Sequence, residues 1–295
     1  MPREVVVIQI GQCGNQIGAQ FWETVLEEHA AAVAKQAGVA QNCSQRGDTT
    51  TWAPRFDASM STFFRNVDAR HHDCQNLEGD QPLKTLKARA LLIDMEEGVL
   101  NDLRRGALGS LFDERLLISD VSGAGNNWAH GYCVYGPAHR ERIADGLRRS
   151  LELTESPQGF ILLHSLGGGT GSGLGSFVVQ MLEEELPDLP RFCCSVVPSP
   201  IHVDDVVTAP YNNLLSLLHL HRHASCVLPV SNDALSTIRR PRGSLAAVRP
   251  LFLLLSRASL APFARLEALW RAKKGGREKA KERRDAARDD APSRR

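Results

Sequence analysis

Short apolar runs alternate with longer stretches in which apolar residues recur every three or four positions. Residues 5–10 (VVVIQI) form a β-branched run that stops at Gly11. A helical pattern follows, with Ile17, Phe21, Val25 and Leu26 on one face. Residues 90–93, 116–119, 160–163, 192–197 and 226–230 repeat the short apolar theme. They end at Asp94, at Asp120, at a glycine cluster, at Pro198 and Pro200, and before Asn232. Pro229 weakens the last of them, because proline brings no N–H to a ladder. Between these runs, Leu174, Phe177, Val178, Met181 and Leu182 make a helical face, and Leu214, Leu215, Leu217 and Leu218 lie in another helix. Residues 34–56 are polar and aperiodic and read as a surface loop inserted between elements.

Near-continuous apolar strands alternating with helices indicate an α/β fold, a parallel sheet with helices on both faces. Ligands of such sheets bind beyond the carboxyl ends of the strands. Those ends are where this sequence places its unusual residues.

Composition adds boundaries. The 295 residues allow one large domain or two ordinary ones, and 42% hydrophobic content with 23% charged is enough for a sizeable core. No apolar run reaches the ~18 residues of a membrane span, and the N-terminus lacks signal-peptide architecture. Seven cysteines without a C-x-x-C pair read as reduced, cytosolic thiols. The net charge of +1 hides an asymmetry: residues 271–295 carry 11 basic and 5 acidic side chains, or +6, which leaves −5 for the rest. This aromatic-free tail cannot offset its ordering entropy and reads as a solvated or disordered segment, not as a specific nucleic-acid or membrane binder.

The sharpest chemical signal is His164-Ser-Leu-Gly-Gly-Gly-Thr-Gly-Ser-Gly173, placed between an apolar strand and an amphipathic helix. Glycines let backbone N–H groups approach a ligand closely, and a helix N-terminus favours phosphate. The lysine-bearing P-loop and the G-x-G-x-x-G fingerprint are both absent, and Leu163 stands where a hydrolase elbow needs its first glycine. Gly11-Gln-Cys-Gly-Asn-Gln-Ile-Gly18 and Ser122-Gly-Ala-Gly-Asn-Asn-Trp128 supply two more glycine loops at strand ends. Asp94 and Glu96 offer carboxylates suited to Mg²⁺ beside phosphates, with helix capping as the competing reading.

Together these loops resemble the tubulin/FtsZ superfamily, whose signature is GGGTGSG. GQCGNQIG, ALLIDMEEGVL, SGAGNNWAHG and the PSP and APYN stretches are tubulin-like as well. FFRNVD, IDMEEGV and SGLGSF point within the tubulins to the epsilon branch. The resemblance covers residues 3–33 and about 57–238. It implies a Rossmann-like α/β domain over residues 1–238 that binds GTP with Mg²⁺. By the same resemblance, Gly11, Gln12, Cys13 and Gln16 lie against phosphates and ribose. Ala124, Gly125 and Asn126 face the γ-phosphate. Ser165, Gly168, Gly169, Thr170 and Gly171 cradle the phosphates. Asp94 and Glu96 hold the magnesium region, Asp205 falls in the ribose loop, and Asn232 reads the guanine edge. An amide pairs with both an acceptor and a donor of guanine. One family glutamate is replaced by Ala209.

After residue 238 the resemblance ends. Tubulins continue into a central helix that supplies a ring stacked on guanine and a further amide; here Arg239-Arg-Pro-Arg-Gly243 interrupts the pattern. The intermediate domain, the C-terminal helices and the acid that a tubulin presents to its neighbour's nucleotide are not found, so the chain looks truncated, with residues 239–295 a divergent tail. The implied role is a structural subunit among other tubulins or centriolar proteins, in cytoplasm, cytoskeleton and centrosome. The alternative is a non-enzymatic fragment that binds tubulin or an acidic partner without nucleotide turnover. His219, His221 and His223 are set aside as a metal site because only 219 and 223 share a helix face.

Overall fold

The computed structural model describes residues 3–43, 56–68, 76–77, 81–199 and 206–234. Strand β1 (Glu4–Ile10) leads directly into helix α1 (Gly11–Cys43). A small antiparallel hairpin follows, β2 (Phe64–Val67) with β3 (Thr85–Ala88). Then come β4 (Ala90–Asp94), α2 (Glu97–Arg105), β5 (Leu117–Ser119), α3 (Gly136–Glu152), β6 (Pro157–Ser165), α4 (Gly175–Glu185), β7 (Arg191–Val197), α5 (Ala209–His223) and β8 (Cys226–Ser231). Six strands form one sheet in the order β5-β4-β1-β6-β7-β8, and every pairing is parallel.

The chain moves outward from β1 to β4 and β5, then returns across β1 to β6, β7 and β8. The order therefore reverses between β1 and β6, the position beyond whose carboxyl ends such sheets bind their ligands. Side-chain alternation gives the sheet two apolar faces. Val6, Ile8 and Ile10 join Leu91, Ile93, Phe160 and Leu162 in a cluster with Ile143 and Leu147 of α3 and Val178 and Leu182 of α4. The other face of β1 meets α1, where Trp22 is fully buried and Phe21 nearly so. These rings pack edge-on, Phe21 on Trp22 at 5.0 Å and Trp22 on Phe64 of the hairpin at 5.5 Å.

At the amino end of the sheet, a buried carboxylate closes the structure. Glu4 pairs with Arg89 and accepts the N–H groups of Glu155 at 2.6 Å and Ser156 at 2.9 Å. Arg89 also donates to the carbonyls of Leu153 at 2.8 Å and Ser61 at 3.1 Å. With both carboxylate oxygens and all three guanidinium nitrogens bonded, the pair fixes β1 to β4 and to the turn before β6.

Three expectations need correction. Residues 34–43 are not loop, because α1 runs to Cys43; alanine, lysine and glutamine carry the helix past Gly38. Residues 44–55 of the expected insertion lie outside the described residues. Gly11–Gly18 is not a loop either, because it is the first two turns of α1. The buried stripe of that helix is Gly14, Asn15, Gly18, Phe21 and Trp22, whereas Ile17, Val25 and Leu26 are only half-buried. Proline at 229 is accommodated because β8 ends the described sheet, where one side of the strand makes no ladder. Leu214, Leu215, Leu217 and Leu218 do lie in a helix, α5, but on its exposed face. Among the described residues, no helix is long and apolar enough to cross a membrane.

Candidate functional site

Four strand ends build the site. β1 ends at Ile10, and Gly11 turns the chain into α1 with φ of +74°. A side chain there would suffer twice: the conformation is left-handed, and a Cβ would stand 2.9 Å from the Gly171 nitrogen. The start of α1 is therefore in contact with the glycine loop after β6. One turn on, a Cβ at Gly14 would fall 2.2 Å from the Leu163 carbonyl oxygen, so α1 crosses directly over β6.

The glycine loop after β6 spans Leu166–Gly169 and then enters a π-helical turn, Thr170–Leu174, before α4 begins. A second π-helical turn, His130–Tyr135, opens into α3. The two turns touch through backbone: a Cβ at Gly173 would meet the Trp128 carbonyl oxygen at 2.2 Å and the Tyr132 nitrogen at 2.9 Å. Such turns widen a helix at its start and often occur at functional sites. Ser172 is fully buried, and its hydroxyl donates to the Gly168 carbonyl within the loop.

The loop after β5 closes the third side. Gly123, Gly125 and Asn126 all have positive φ, the last at 53°. Asparagine is the non-glycine residue that tolerates this region best. The loop is fastened to β4 by the Gly123 N–H, which donates to the Met95 carbonyl at 2.8 Å. A Cβ at Gly169 would lie 2.8 Å from the Ala124 Cβ and 2.7 Å from the Asn127 nitrogen, so this loop rests on the glycine loop. Glu96 reaches the same place, with its carboxylate 2.5 Å from where a Gly123 Cβ would stand.

Asp94 and Glu96 sit in contrasting environments. Asp94 is 2% exposed and Glu96 is exposed. Burial pushes the Asp94 carboxyl up to about 6, against the pull of the Glu96 and Met95 backbones, which favour its anion. Its Oδ2 has no hydrogen-bond partner among the described residues. Glu96 stands at the start of α2 but makes no capping bond from its side chain, which removes the competing reading for that residue. A buried carboxylate with a spare oxygen and an exposed carboxylate two residues on are hard donors of the kind Mg²⁺ uses, directly or through water.

The predicted residues divide by position. Gly11, Gln12, Cys13, Gln16, Asp94, Glu96, Ala124, Gly125, Asn126, Ser165, Gly168, Gly169, Thr170 and Gly171 all stand at the ends of β1, β4, β5 and β6 or in the loops and helix starts that leave them. Gln12 and Gln16 are exposed, and Cys13 is half-buried with its thiol pushed up to about 11 by desolvation. Asn232 follows β8, two strands from β6 and thus about 10 Å away across the sheet. Asp205 lies outside the described residues. The turn holding Asn232 is tied to the end of β7, because the Ser199 hydroxyl donates to Asp233.

Two residues that the sequence did not single out hold this arrangement together. The Asn15 amide donates to the carbonyls of Gly11 at 3.0 Å and Ile93 at 3.2 Å, joining the ends of β1 and β4. The Asn212 amide, from α5, donates to Asn126 at 2.9 Å and Gly167 at 2.8 Å and accepts the Trp128 N–H at 3.0 Å. Thr208 adds a bond from its hydroxyl to the Asn126 carbonyl at 2.6 Å. Trp128 is buried and stacks on Tyr132 at 4.6 Å. His219 completes that aromatic group, and His223 pairs with Glu183, so both have partners in packing.

Comparison with known proteins follows the same residues. The family model described as "Tubulin/FtsZ family, GTPase domain" matches residues 4–240. The chain is 46% identical over 233 residues to the tubulin epsilon chain of Mus musculus, covering 79% of this chain and 45% of that one. It is 45% identical over 233 residues to the tubulin epsilon chain of Homo sapiens. It is 39% identical over 238 residues to the tubulin beta-2 chain of Suillus bovinus, covering 81% of this chain and 48% of that one. The chain spans about half the length of the curated relatives it matches. The higher identity to epsilon chains agrees with the branch that the sequence motifs indicate.

Proposed function

The chain belongs to the Tubulin/FtsZ family, matched over its GTPase domain, and from that premise we propose that it is a GTP-binding, epsilon-type tubulin subunit. Its place is then the microtubule cytoskeleton, with other tubulins as partners and a structural role in centriole and basal-body organisation. The observation that carries the nucleotide part is the backbone contact of loops at the sheet's reversal point. Gly11 meets Gly171, and Gly169 meets Ala124 and Asn127, each too close for a side chain. Loops packed this tightly through bare backbone turn free N–H groups toward an anion.

In this reading Gly168, Gly169, Thr170 and Gly171 cradle the phosphates, with Ser165 beside them. Ala124, Gly125 and Asn126 face the terminal phosphate, and Gly11, Gln12, Cys13 and Gln16 line the phosphate and ribose side. Asn232, and Asp205 by resemblance alone, belong to the nucleoside end. Asp94 and Glu96 would hold Mg²⁺, which when bound offsets phosphate charge. This chain's own residues bind and orient; turnover awaits an acid from another subunit. We assign residues 1–238 to the GTP-binding domain and 239–295 to a tail outside it.

The test is thermal unfolding of the purified chain with Mg-GTP, with Mg-ATP and without nucleotide. A ligand at 100 times its Kd adds about 2.7 kcal/mol to the native state. A shift with GTP alone is expected. An equal shift with ATP would remove the guanine assignment, and no shift would remove the nucleotide site.

A further inference from the structure

His164 stands near the end of β6, directly beneath the glycine loop, and its ring is fully buried. Nδ1 lies 2.9 Å from the Gly171 carbonyl oxygen, and Nε2 lies 2.8 Å from the Ser195 hydroxyl on the neighbouring strand β7. The ring fills the space that a side chain at Gly175 would need, since a Cβ there would come within 2.9 Å of Nδ1. Glycine at 175 is thus a consequence of histidine at 164.

These partners determine the tautomer. A carbonyl oxygen only accepts, so Nδ1 carries the proton. In the neutral ring Nε2 is then a bare acceptor, and the Ser195 hydroxyl donates to it. Burial keeps the ring neutral, pushing its pKa down to about 4. The bond has a consequence at the loop. A peptide is planar and trans, so turning the Gly171 carbonyl toward His164 turns the Ser172 N–H away from the core. A carbonyl rotated the other way would present a negative dipole to any phosphate in the cradle.

We infer that His164, in the Nδ1–H form that the Gly171 carbonyl selects and with Nε2 capped by the Ser195 hydroxyl, is a positioning residue that keeps the Gly171 carbonyl turned to the core so that the glycine loop offers N–H groups to the nucleotide phosphates. The ligand named here rests on the GTP reading; the tautomer and the tie to Gly171 do not. The role is not catalytic, because the ring is sealed from the cradle by the loop it supports.

Two readouts on the full chain test this. In histidine labelled with ¹⁵N, the His164 signals should show a protonated Nδ1 and a bare Nε2 near neutral pH, in the parent and in Ser195→Ala alike. An Nε2–H signal in the parent overturns the inference. The second readout compares His164→Asn with His164→Gln, whose amides fall near Nδ1 and Nε2 respectively. Asn retains the donor to Gly171, so its Kd for GTP should stay within about 3-fold of the parent, while Gln should weaken it about 10-fold. Unfolding midpoints without nucleotide check that both variants fold. Equal losses in both, or none in either, would reduce His164 to core packing. If the parent itself fails to bind GTP, the nucleotide reading falls and takes the named ligand with it, while the ¹⁵N signals still decide the tie to Gly171.

Discussion

Gln9 is the next-to-last residue of β1, fully buried, and neither its amide nitrogen nor its oxygen has a hydrogen-bond partner among the described residues. It occupies the room left by Gly18, whose Cβ would stand 2.1 Å from its Oε1. An unpaired buried amide is costly, about 1–3 kcal/mol, whereas an apolar group of the same shape is not. Gln9→Met should therefore stabilise the chain by about 1–2 kcal/mol, read as a shift in the urea midpoint without a change in slope. A lower midpoint would mean that the amide does have a partner. Gln9 was not legible as a buried oddity, because a lone glutamine in VVVIQI looks like the solvent side of an alternating strand. The glycines were legible, because runs of bare backbone have few other uses. The amides of Asn15 and Asn212 were not, because what they bond is fixed only once distant strand ends are brought together.

Among the elements, strands were easiest to read from sequence. Five-residue apolar runs bounded by glycine, aspartate or proline have few alternatives, and all six sheet strands fall where such runs occur. Helix faces were harder. On α5 the large residues Tyr211, Leu214, Leu217 and Leu218 are exposed, while Ala209, Asn212, Ser216 and Leu220 are buried. The helix presses its small and polar side to the glycine loop, because close approach there matters more than apolar area. Asn212 is the centre of that contact. Asn212→Ala deletes bonds to two loops and leaves the Trp128 N–H buried and unpaired, a loss of about 2–3 kcal/mol. Nucleotide affinity should fall with stability, since the deleted bonds hold Asn126 and Gly167 in register. Calorimetry against GTP paired with urea unfolding checks both; affinity unchanged in a destabilised variant would show that α5 supports the fold and not the site.

For the whole molecule, two buried groups make opposite demands on acidity. His164 titrates near 4 when folded and near 6.5 in an ordinary environment. As pH falls from 6.5 to 4, the unfolded chain takes up a proton that the folded one refuses, so stability is lost across that window. Asp94 titrates near 6 when folded and near 3.8 ordinarily. Over the overlapping window from 6 to 3.8 the folded chain takes up the proton first, so stability is gained as pH falls. Each uncompensated proton contributes a slope of about 1.4 kcal/mol per pH unit, and here the slopes oppose. The parent chain should accordingly change little between pH 6 and 4.5 on account of this pair. Asp94→Asn removes the gain and leaves the loss. That variant should be more stable than the parent at pH 7.5, where the buried carboxylate is charged, and should give up this advantage steadily toward pH 4.5. His164→Asn should behave in the opposite sense, holding its stability in acid better than the parent. Urea titrations of the three proteins without nucleotide, at pH 7.5, 6 and 4.5, separate these slopes. Parallel curves for parent and Asp94→Asn would mean that Asp94 is solvated at the end of β4, and the candidate site would then be open to water down to that carboxylate.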